Sequence, residues 1–139
     1  MERRVVITGI GPVTPIGIGK DDFLDSLMNG RSGVETCNIP GASYYGTPAC
    51  AEVKNFDLDS ILSGDLTCGL VSKKAYNKLS KHCDRAIQFA VGGTRLALSD
   101  SGLEYDRENN NVGCFFGNAG ECMQSYETQI KLTIQRVLR

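Results

Sequence analysis

Apolar positions near the start of the chain change from a nearly unbroken run to a helical spacing. The run between Arg4 and Gly11 consists of Val5, Val6, Ile7 and Ile10. Such a run, ending in glycine, is typical of a strand buried on both faces of a parallel sheet. After a loop rich in Gly and Pro, Asp21 or Asp22 is expected to cap a helix with the apolar stripe Phe23, Leu24, Leu27 and Met28, ended by Asn29–Gly30. Strand, loop and helix in this order predict an α/β fold.

The next stretch, from 31 to 70, is less regular. Alternating residues from Ala49 to Phe56 predict one peripheral strand, and Leu58–Leu66 is expected to form a short helical turn. We interpret residues from about 35 to 71 as a peripheral insertion over the sheet. Residues 1–139 are therefore expected to be a single domain.

A long helical pattern follows, from Ser72 to Leu98. Its apolar positions recur at three- and four-residue steps and are Leu79, Cys83, Ala86, Ile87, Ala90 and Leu98. Gly92 and Gly93 lie in the middle, although each glycine costs a helix about 1 kcal/mol relative to alanine. Close packing against another backbone would explain them.

The last third of the chain predicts a second buried strand and a final helix. Val112–Phe116 forms the strand pattern, and a turn from Gly117 to Gly120 follows it. The final helix carries the stripe Tyr126, Ile130, Ile134, Val137 and Leu138. It reaches Arg139 without the Gly, Asn or Pro that usually ends a helix, so we expect the chain to be part of a longer protein.

Composition narrows the class of protein. Fifteen basic and sixteen acidic residues give a net charge of -1, which disfavours a nucleic-acid partner. No apolar run approaches the ~20 residues of a membrane span, and the start does not resemble a secretory signal. We therefore expect a cytoplasmic protein.

Six cysteines and one histidine, His82, do not form a recognisable metal-binding pattern, because there is no CxxC pair. We predict that Cys83 and Cys114 are small core residues. Cys122, which follows a glycine-rich turn, is the best candidate for a reactive thiol, but no general base can be assigned beside it. We therefore expect no metal and no cofactor.

A dinucleotide-binding loop is a further possibility, since Gly9 and Gly11 follow the first predicted strand. The third glycine of that fingerprint is missing, because position 14 is Thr14. Pro12 and Pro15 also lack the amide hydrogens that would bind phosphate. A tight turn between core elements fits better, and an NADP-dependent reductase remains an alternative.

Several ordered blocks resemble β-ketoacyl-[acyl carrier protein] synthases of the elongating type. The blocks are Arg3–Gly17, Leu27–Val34, Asp84–Ala90, Ala97–Leu103 and Val112–Gly117. The resemblance implies a thiolase-like α/β fold, of which this chain is an incomplete N-terminal half with a mixed sheet flanked by helices. Residues from Cys37 to Val71 match only loosely.

The resemblance also implies an activity, a decarboxylative Claisen condensation of an acyl thioester with malonyl-carrier protein in fatty-acid or polyketide synthesis. The family uses a cysteine at a helix N-terminus and two histidines, and none of the three lies within residues 1–139. His82 matches no catalytic position. We therefore expect no catalytic residue in this chain and no activity from it alone.

Two sets of residues are candidates for binding. One predicted helix face is basic, because the spacing allows it to be shared by Lys74, Lys78, Lys81 and Arg85. It is either an ordinary solvated face or a docking surface. The resemblance implies docking of acyl carrier protein that carries a phosphopantetheine-bound chain. Lys74, Lys78 and Lys81 are the docking candidates. The resemblance further implies that the turn with Gly117, Ala119 and Gly120 borders the acyl pocket; an ordinary strand-to-helix turn is the alternative.

The resemblance leaves the role of the complete protein open in one respect. A non-catalytic partner subunit of the chain-length-factor type shares the fold but lacks the nucleophile. Family members pair as homodimers or heterodimers through a strand beyond residue 139.

Overall fold

A computed structural model describes residues 3–38, 44, 46, 49–67, 71–104, 112–117, 127, 130, 131 and 134. Within them, four helices carry most of the regular structure: α1 (Lys20–Met28), α2 (Leu58–Thr67), α3 (Lys73–His82) and α4 (Arg85–Ser101). Residues 127, 130, 131 and 134 are also helical, as the final apolar stripe predicts. Tyr126, Val137 and Leu138 lie outside the described residues. No helix in the described ranges is long and apolar enough to cross a membrane.

Two short antiparallel hairpins supply the strands. In the first, β1 (Val13–Thr14) pairs with β2 (Gly17–Ile18), so the predicted Gly- and Pro-rich loop contains a hairpin. In the second, β3 (Glu35–Thr36) pairs with β4 (Ala49–Cys50), at the start of the predicted peripheral strand. The first hairpin lies against α1 and α4, which anchors the start of the chain.

Helix α4 packs against several of the other described elements. It contacts α2, α3 and β1. The buried apolar side chains among the described residues, Leu58 and Leu62, both come from α2. Phe56, which precedes α2, meets Phe89 of α4 edge-to-face with ring centroids 4.8 Å apart. The predicted helix at 58–66 is confirmed, and its inner face helps to form the core.

Glycines let the N-terminal backbone approach α4 directly. A Cβ on Gly93 would lie 3.0 Å from the Gly11 carbonyl oxygen, and a Cβ on Gly11 would overlap the Gly93 carbonyl. Gly9 similarly faces the backbone of Ala97 and Ser101. The predicted close approach at Gly93 is therefore confirmed. Gly92 instead faces a side chain, because its Cβ would lie 2.9 Å from the Phe56 ring.

The single helix predicted from Ser72 to Leu98 is wrong, since it consists of two helices with a break at Cys83–Asp84. Both residues have extended backbone, with ψ angles of 141° and 156°. Gln88 stabilises the break because its side-chain amide donates to the Cys83 carbonyl oxygen at 3.0 Å and to that of Ser80 at 3.4 Å. These bonds satisfy carbonyl groups that the end of α3 leaves without helical partners.

The two predicted buried strands are not strands in the described structure. Val5 is 92% exposed, Phe115 is 97% exposed, and neither segment forms a ladder. The predicted mixed sheet is thus not formed by the described residues, whose two sheets each have two antiparallel strands. Hydrogen-bonded neighbours define a strand, and these segments have no such partners in the described ranges.

Helix α1 also differs from its prediction. Gly19, with φ of 85°, occupies the N-cap position, so Asp21 and Asp22 lie in the first turn instead. Leu24, Leu27 and Met28 are exposed, whereas Phe23 is half-buried and Ser26 is buried. Gly30 has φ of 61°, which confirms that glycine supplies the left-handed conformation after this helix.

Candidate functional site

Helix α3 carries an exposed basic face in the described part of the chain. Ser72 begins this helix, and its side-chain oxygen accepts a hydrogen bond from the Ala75 amide at 3.2 Å. Tyr76, Leu79 and Ser80 are half-buried, which fixes the rotation of the helix. The lysines consequently face solvent.

Lys74, Lys78 and Lys81 are all exposed and follow a spacing of four and three residues. At 3.6 residues per turn this spacing places them on one face, so we name them the lysine face. None of the three makes an ion pair with another described residue. Their ammonium groups are therefore available to an external acidic partner.

Arg85 does not belong to the lysine face, which corrects the predicted four-residue stripe. The break at Cys83–Asp84 transfers Arg85 to the first turn of α4. Its guanidinium donates to the Val53 carbonyl oxygen at 2.5 Å and lies 5.0 Å from the centre of the Phe89 ring. Arg85 thus fastens the segment after β4 to α4, with a cation–π contact beside the hydrogen bond.

The acyl-pocket candidates are only partly described. Gly117 is exposed, and a Cβ added there would meet no atom within 4 Å. Ala119 and Gly120 lie outside the described residues, as does Cys122. Their proposed role stays a prediction.

A cleft of about 350 Å³ lies just before this turn, between the N-terminal segment, α4 and residues 112–116. Its lining includes Gly9, Ala97, Leu98, Val112 and Phe116. The two segments predicted as strands therefore border the same surface of α4 without a described backbone ladder between them. This surface is mainly apolar, which suits further protein or an acyl chain better than a charged ligand.

An ion pair that the sequence reasoning missed holds the N-terminal segment to α4. The Asp100 carboxylate accepts a hydrogen bond from the Ile10 amide at 3.0 Å and pairs with the Lys20 ammonium group. The hydrogen bond from Lys20, followed by that from Ile10, lowers the pKa of Asp100 below its usual value. The same pair raises the pKa of Lys20. No local sequence signal reveals this contact, because its partners are far apart in the chain.

The described cysteines are free thiols: Cys37, Cys50 and Cys83 are half-buried, and Cys114 is exposed. The prediction of a core position is wrong for Cys114, because the segment that carries it does not enter a sheet. No group of three or more His, Cys, Asp or Glu side chains in the described part of the chain could hold a metal ion.

Comparison with known proteins identifies related sequences. The sequence pattern of the β-ketoacyl synthase N-terminal domain matches residues 2–137. The chain is 38% identical to 3-oxoacyl-[acyl-carrier-protein] synthase 2 of Coxiella burnetii over 118 residues, which cover 84% of this chain and 25% of the relative.

Two further relatives match over most of this chain. The tetracenomycin polyketide synthase ketoacyl synthase alpha subunit of Streptomyces glaucescens is 38% identical over 122 residues, covering 87% of this chain and 26% of the relative. The 3-oxoacyl-[acyl-carrier-protein] synthase 2 of Synechocystis is 29% identical over 136 residues, covering 97% and 30%. The matched residues thus span less than a third of each relative.

Proposed function

Because the chain belongs to the β-ketoacyl synthase family, we propose that it forms the N-terminal part of a condensing enzyme of fatty-acid or polyketide synthesis. The proposed fold is the thiolase-like α/β fold, with residues from about 35 to 71 as a peripheral insertion. In the reaction, a malonyl thioester on the carrier protein loses carbon dioxide. The resulting carbanion attacks an enzyme-bound acyl thioester, a carbon–carbon bond forms, and the enzyme thiolate leaves.

This chain supplies scaffold and docking surface to the proposed reaction rather than the reacting groups. A condensing nucleophile needs a thiolate stabilised at a helix N-terminus, and the developing enolate needs nearby hydrogen-bond donors. We assign the nucleophilic cysteine and both histidines to residues outside 1–139. Residues 1–139 alone are accordingly inactive in this proposal.

The lysine face carries the docking part of the proposal. Three exposed ammonium groups without ion-pair partners among the described residues create a local positive surface on a chain with a net charge of -1. We propose that the partner is an acidic acyl carrier protein with a phosphopantetheine-bound acyl chain. A positive surface raises the rate at which such a protein associates. The turn at Gly117, Ala119 and Gly120 then lies beside the delivered acyl chain.

Charge reversal on this face tests the docking proposal. In the complete polypeptide, Lys78→Glu combined with Lys81→Glu should weaken binding of an acidic acyl carrier protein about tenfold or more at low salt, because attraction becomes repulsion. The loss should shrink as salt screens the charges. Fluorescence anisotropy of labelled carrier protein measures both effects.

A matched control is Arg3→Glu combined with Arg4→Glu. These exposed residues make the same change in net charge and have no ion pair with a described residue. The control should bind like the unmodified protein. Equal affinities of the Lys78/Lys81 variant and the unmodified protein at low salt would refute docking at the lysine face.

Two other functions remain as alternatives. A chain-length-factor-type subunit would share everything proposed here except the nucleophile, so the residue at the nucleophile position of the complete protein distinguishes the two. An NADP-dependent reductase is less well supported, because Gly9 and Gly11 face the backbone of α4 rather than open space for a phosphate. Saturable NADPH binding in a fluorescence titration would support the reductase. In the condensing proposal the complete protein is a cytoplasmic homodimer or heterodimer.

A further inference from the structure

The second hairpin brings two cysteines to one side of its short ladder. Glu35 lies opposite Cys50, and Thr36 lies opposite Ala49. Side chains alternate along an extended strand, and Cys37 is the residue directly after β3. Continued alternation would place Cys37 on the same side as Glu35 and hence as Cys50. Cys37 and Cys50 are therefore diagonal neighbours, whose Cα atoms are typically about 7–8 Å apart.

Other contacts hold the two arms of this hairpin in register. The Glu35 carboxylate pairs with the Lys54 ammonium group across the hairpin. On the second arm, the Val53 carbonyl oxygen accepts the hydrogen bond from Arg85 of α4. The cysteines thus lie on a hairpin that an ion pair stabilises internally and that a hydrogen bond joins to α4.

The electrostatics of Cys50 agree with the proximity that the hairpin register indicates. A hydrogen bond between the Cys37 and Cys50 side chains is the main cause that raises the pKa of the Cys50 thiol, with desolvation second. Both residues are half-buried, so small reagents can reach them. Cys83 and Cys114, by contrast, have no thiol contact with another described cysteine.

We propose that Cys37 and Cys50 form a reversible disulfide, an oxidation site separate from the condensing chemistry. The proposed oxidant is a low-molecular-weight disulfide such as oxidised glutathione. One cysteine thiolate attacks it, which forms a mixed disulfide and releases one glutathione thiolate. The second cysteine thiolate attacks the protein sulfur of the mixed disulfide and releases the second glutathione thiolate. Two protein thiols are oxidised, and one glutathione disulfide is reduced to two thiols.

The disulfide would tie β3 to β4 covalently and close the loop from 38 to 49. Disulfide geometry requires Cα atoms within about 6.8 Å, so Cys37, which follows the last ladder residue of β3, must move slightly toward Cys50. Because the Cys50 thiol holds its proton more firmly than usual, oxidation should accelerate as the pH rises. The dithiol is the resting form under reducing conditions.

Trypsin offers a direct measurement, because no Lys or Arg lies between Arg31 and Lys54. The peptide Ser32–Lys54 therefore contains Cys37, Cys50 and no other cysteine. The complete polypeptide is equilibrated in glutathione redox buffers, quenched with an alkylating agent and digested. Mass spectrometry then reports the fraction of this peptide that is two hydrogen atoms lighter and unalkylated.

The expected result compares folded and denatured protein. The native register should raise the effective concentration of the two thiols about tenfold or more over the value in concentrated guanidinium chloride. A matched control, Thr36→Cys combined with Cys37→Ser, moves the first thiol by one residue to the opposite face. Its folded and denatured values should agree, although its peptide also contains two cysteines.

Three results would overturn the proposal. They are equal effective concentrations in folded and denatured protein, equal enhancement in the Thr36→Cys control, and oxidation that yields only mixed disulfides or links to other cysteines. The unmodified protein is compared with its own denatured state. Its expected difference therefore does not depend on whether the control variant folds.

Discussion

Asp100 shows how much a single residue contributes to the arrangement of this chain. Its carboxylate binds the Ile10 amide and the Lys20 ammonium group, and so it joins the N-terminal segment and α1 to α4. The side chain of Asp100 is 18% exposed, so solvent only partly screens these contacts. The cluster Ser99–Gly102 predicts the end of α4, which the structure confirms with Gly102 in the left-handed conformation. The contacts themselves could not be predicted, because they join residues 80 and 90 positions apart.

Asp100→Asn should remove a pH-dependent part of the stability. Because Lys20 and then Ile10 lower the pKa of Asp100 in the folded state, its stabilising contribution is complete above the usual aspartate pKa. It is lost as the pH falls through the folded-state value. The gap between the urea midpoints of the two proteins should be constant from about pH 7 to pH 5 and close below about pH 4.

The control for this titration is Asp25→Asn. Asp25 pairs with Arg31 at 3.1 Å, but both side chains are more than half exposed. Such surface pairs contribute little to stability. A gap for Asp25→Asn as large as that for Asp100→Asn, or a gap for Asp100→Asn that persists undiminished at low pH, would contradict the role assigned to Asp100.

At the scale of elements, contact between glycine backbones positions the N-terminal segment on α4. Gly93 indicates this contact in the sequence, since a glycine in a helix needs a packing reason. The break between α3 and α4 had no comparably clear signal, because neither Gly nor Pro lies at Cys83–Asp84. Asp84 is a good N-cap residue, but it becomes informative only together with the Gln88 hydrogen bonds. This break determines which basic residues form the candidate site, because it separates Arg85 from the lysine face.

Gly11→Ala should destabilise the protein by about 1–3 kcal/mol, because the new methyl group would overlap backbone atoms of α4 that cannot rotate away. Gly64→Ala is the matched control. Gly64 lies in α2 with no atom within 4 Å of an added Cβ, so alanine should stabilise that helix by about 1 kcal/mol. Urea denaturation measures both changes. A Gly11→Ala variant as stable as the unmodified protein would show that the segment does not lie against α4.

At the scale of the whole molecule, the described residues leave several large apolar side chains uncovered. The run at Val5–Ile7 and the pair Phe115–Phe116 are among the exposed apolar groups. The sequence predicts both segments as buried strands, because runs of β-branched and aromatic residues are typical of segments that are buried in a completed fold. The described residues do not supply that covering.

Residues 1–139 in isolation should therefore self-associate, because exposed apolar patches of this kind drive aggregation. Analytical ultracentrifugation should show species larger than the monomer. Combining Val5→Lys with Phe115→Lys should shift the distribution toward monomer, whereas Lys74→Gln should leave it unchanged. A monodisperse monomer of the unmodified chain with a cooperative melting transition would contradict this prediction.

Our central proposal is that these residues provide carrier docking within a condensing enzyme but none of its reacting groups. Mass spectrometry of carrier-bound thioesters tests this after the Val5→Lys/Phe115→Lys variant of residues 1–139, which is expected to be more monomeric, is incubated with acyl- and malonyl-carrier protein. We predict that carrier protein binds in a salt-sensitive manner while both thioesters remain unchanged. A β-ketoacyl thioester formed by residues 1–139 alone would contradict the claim.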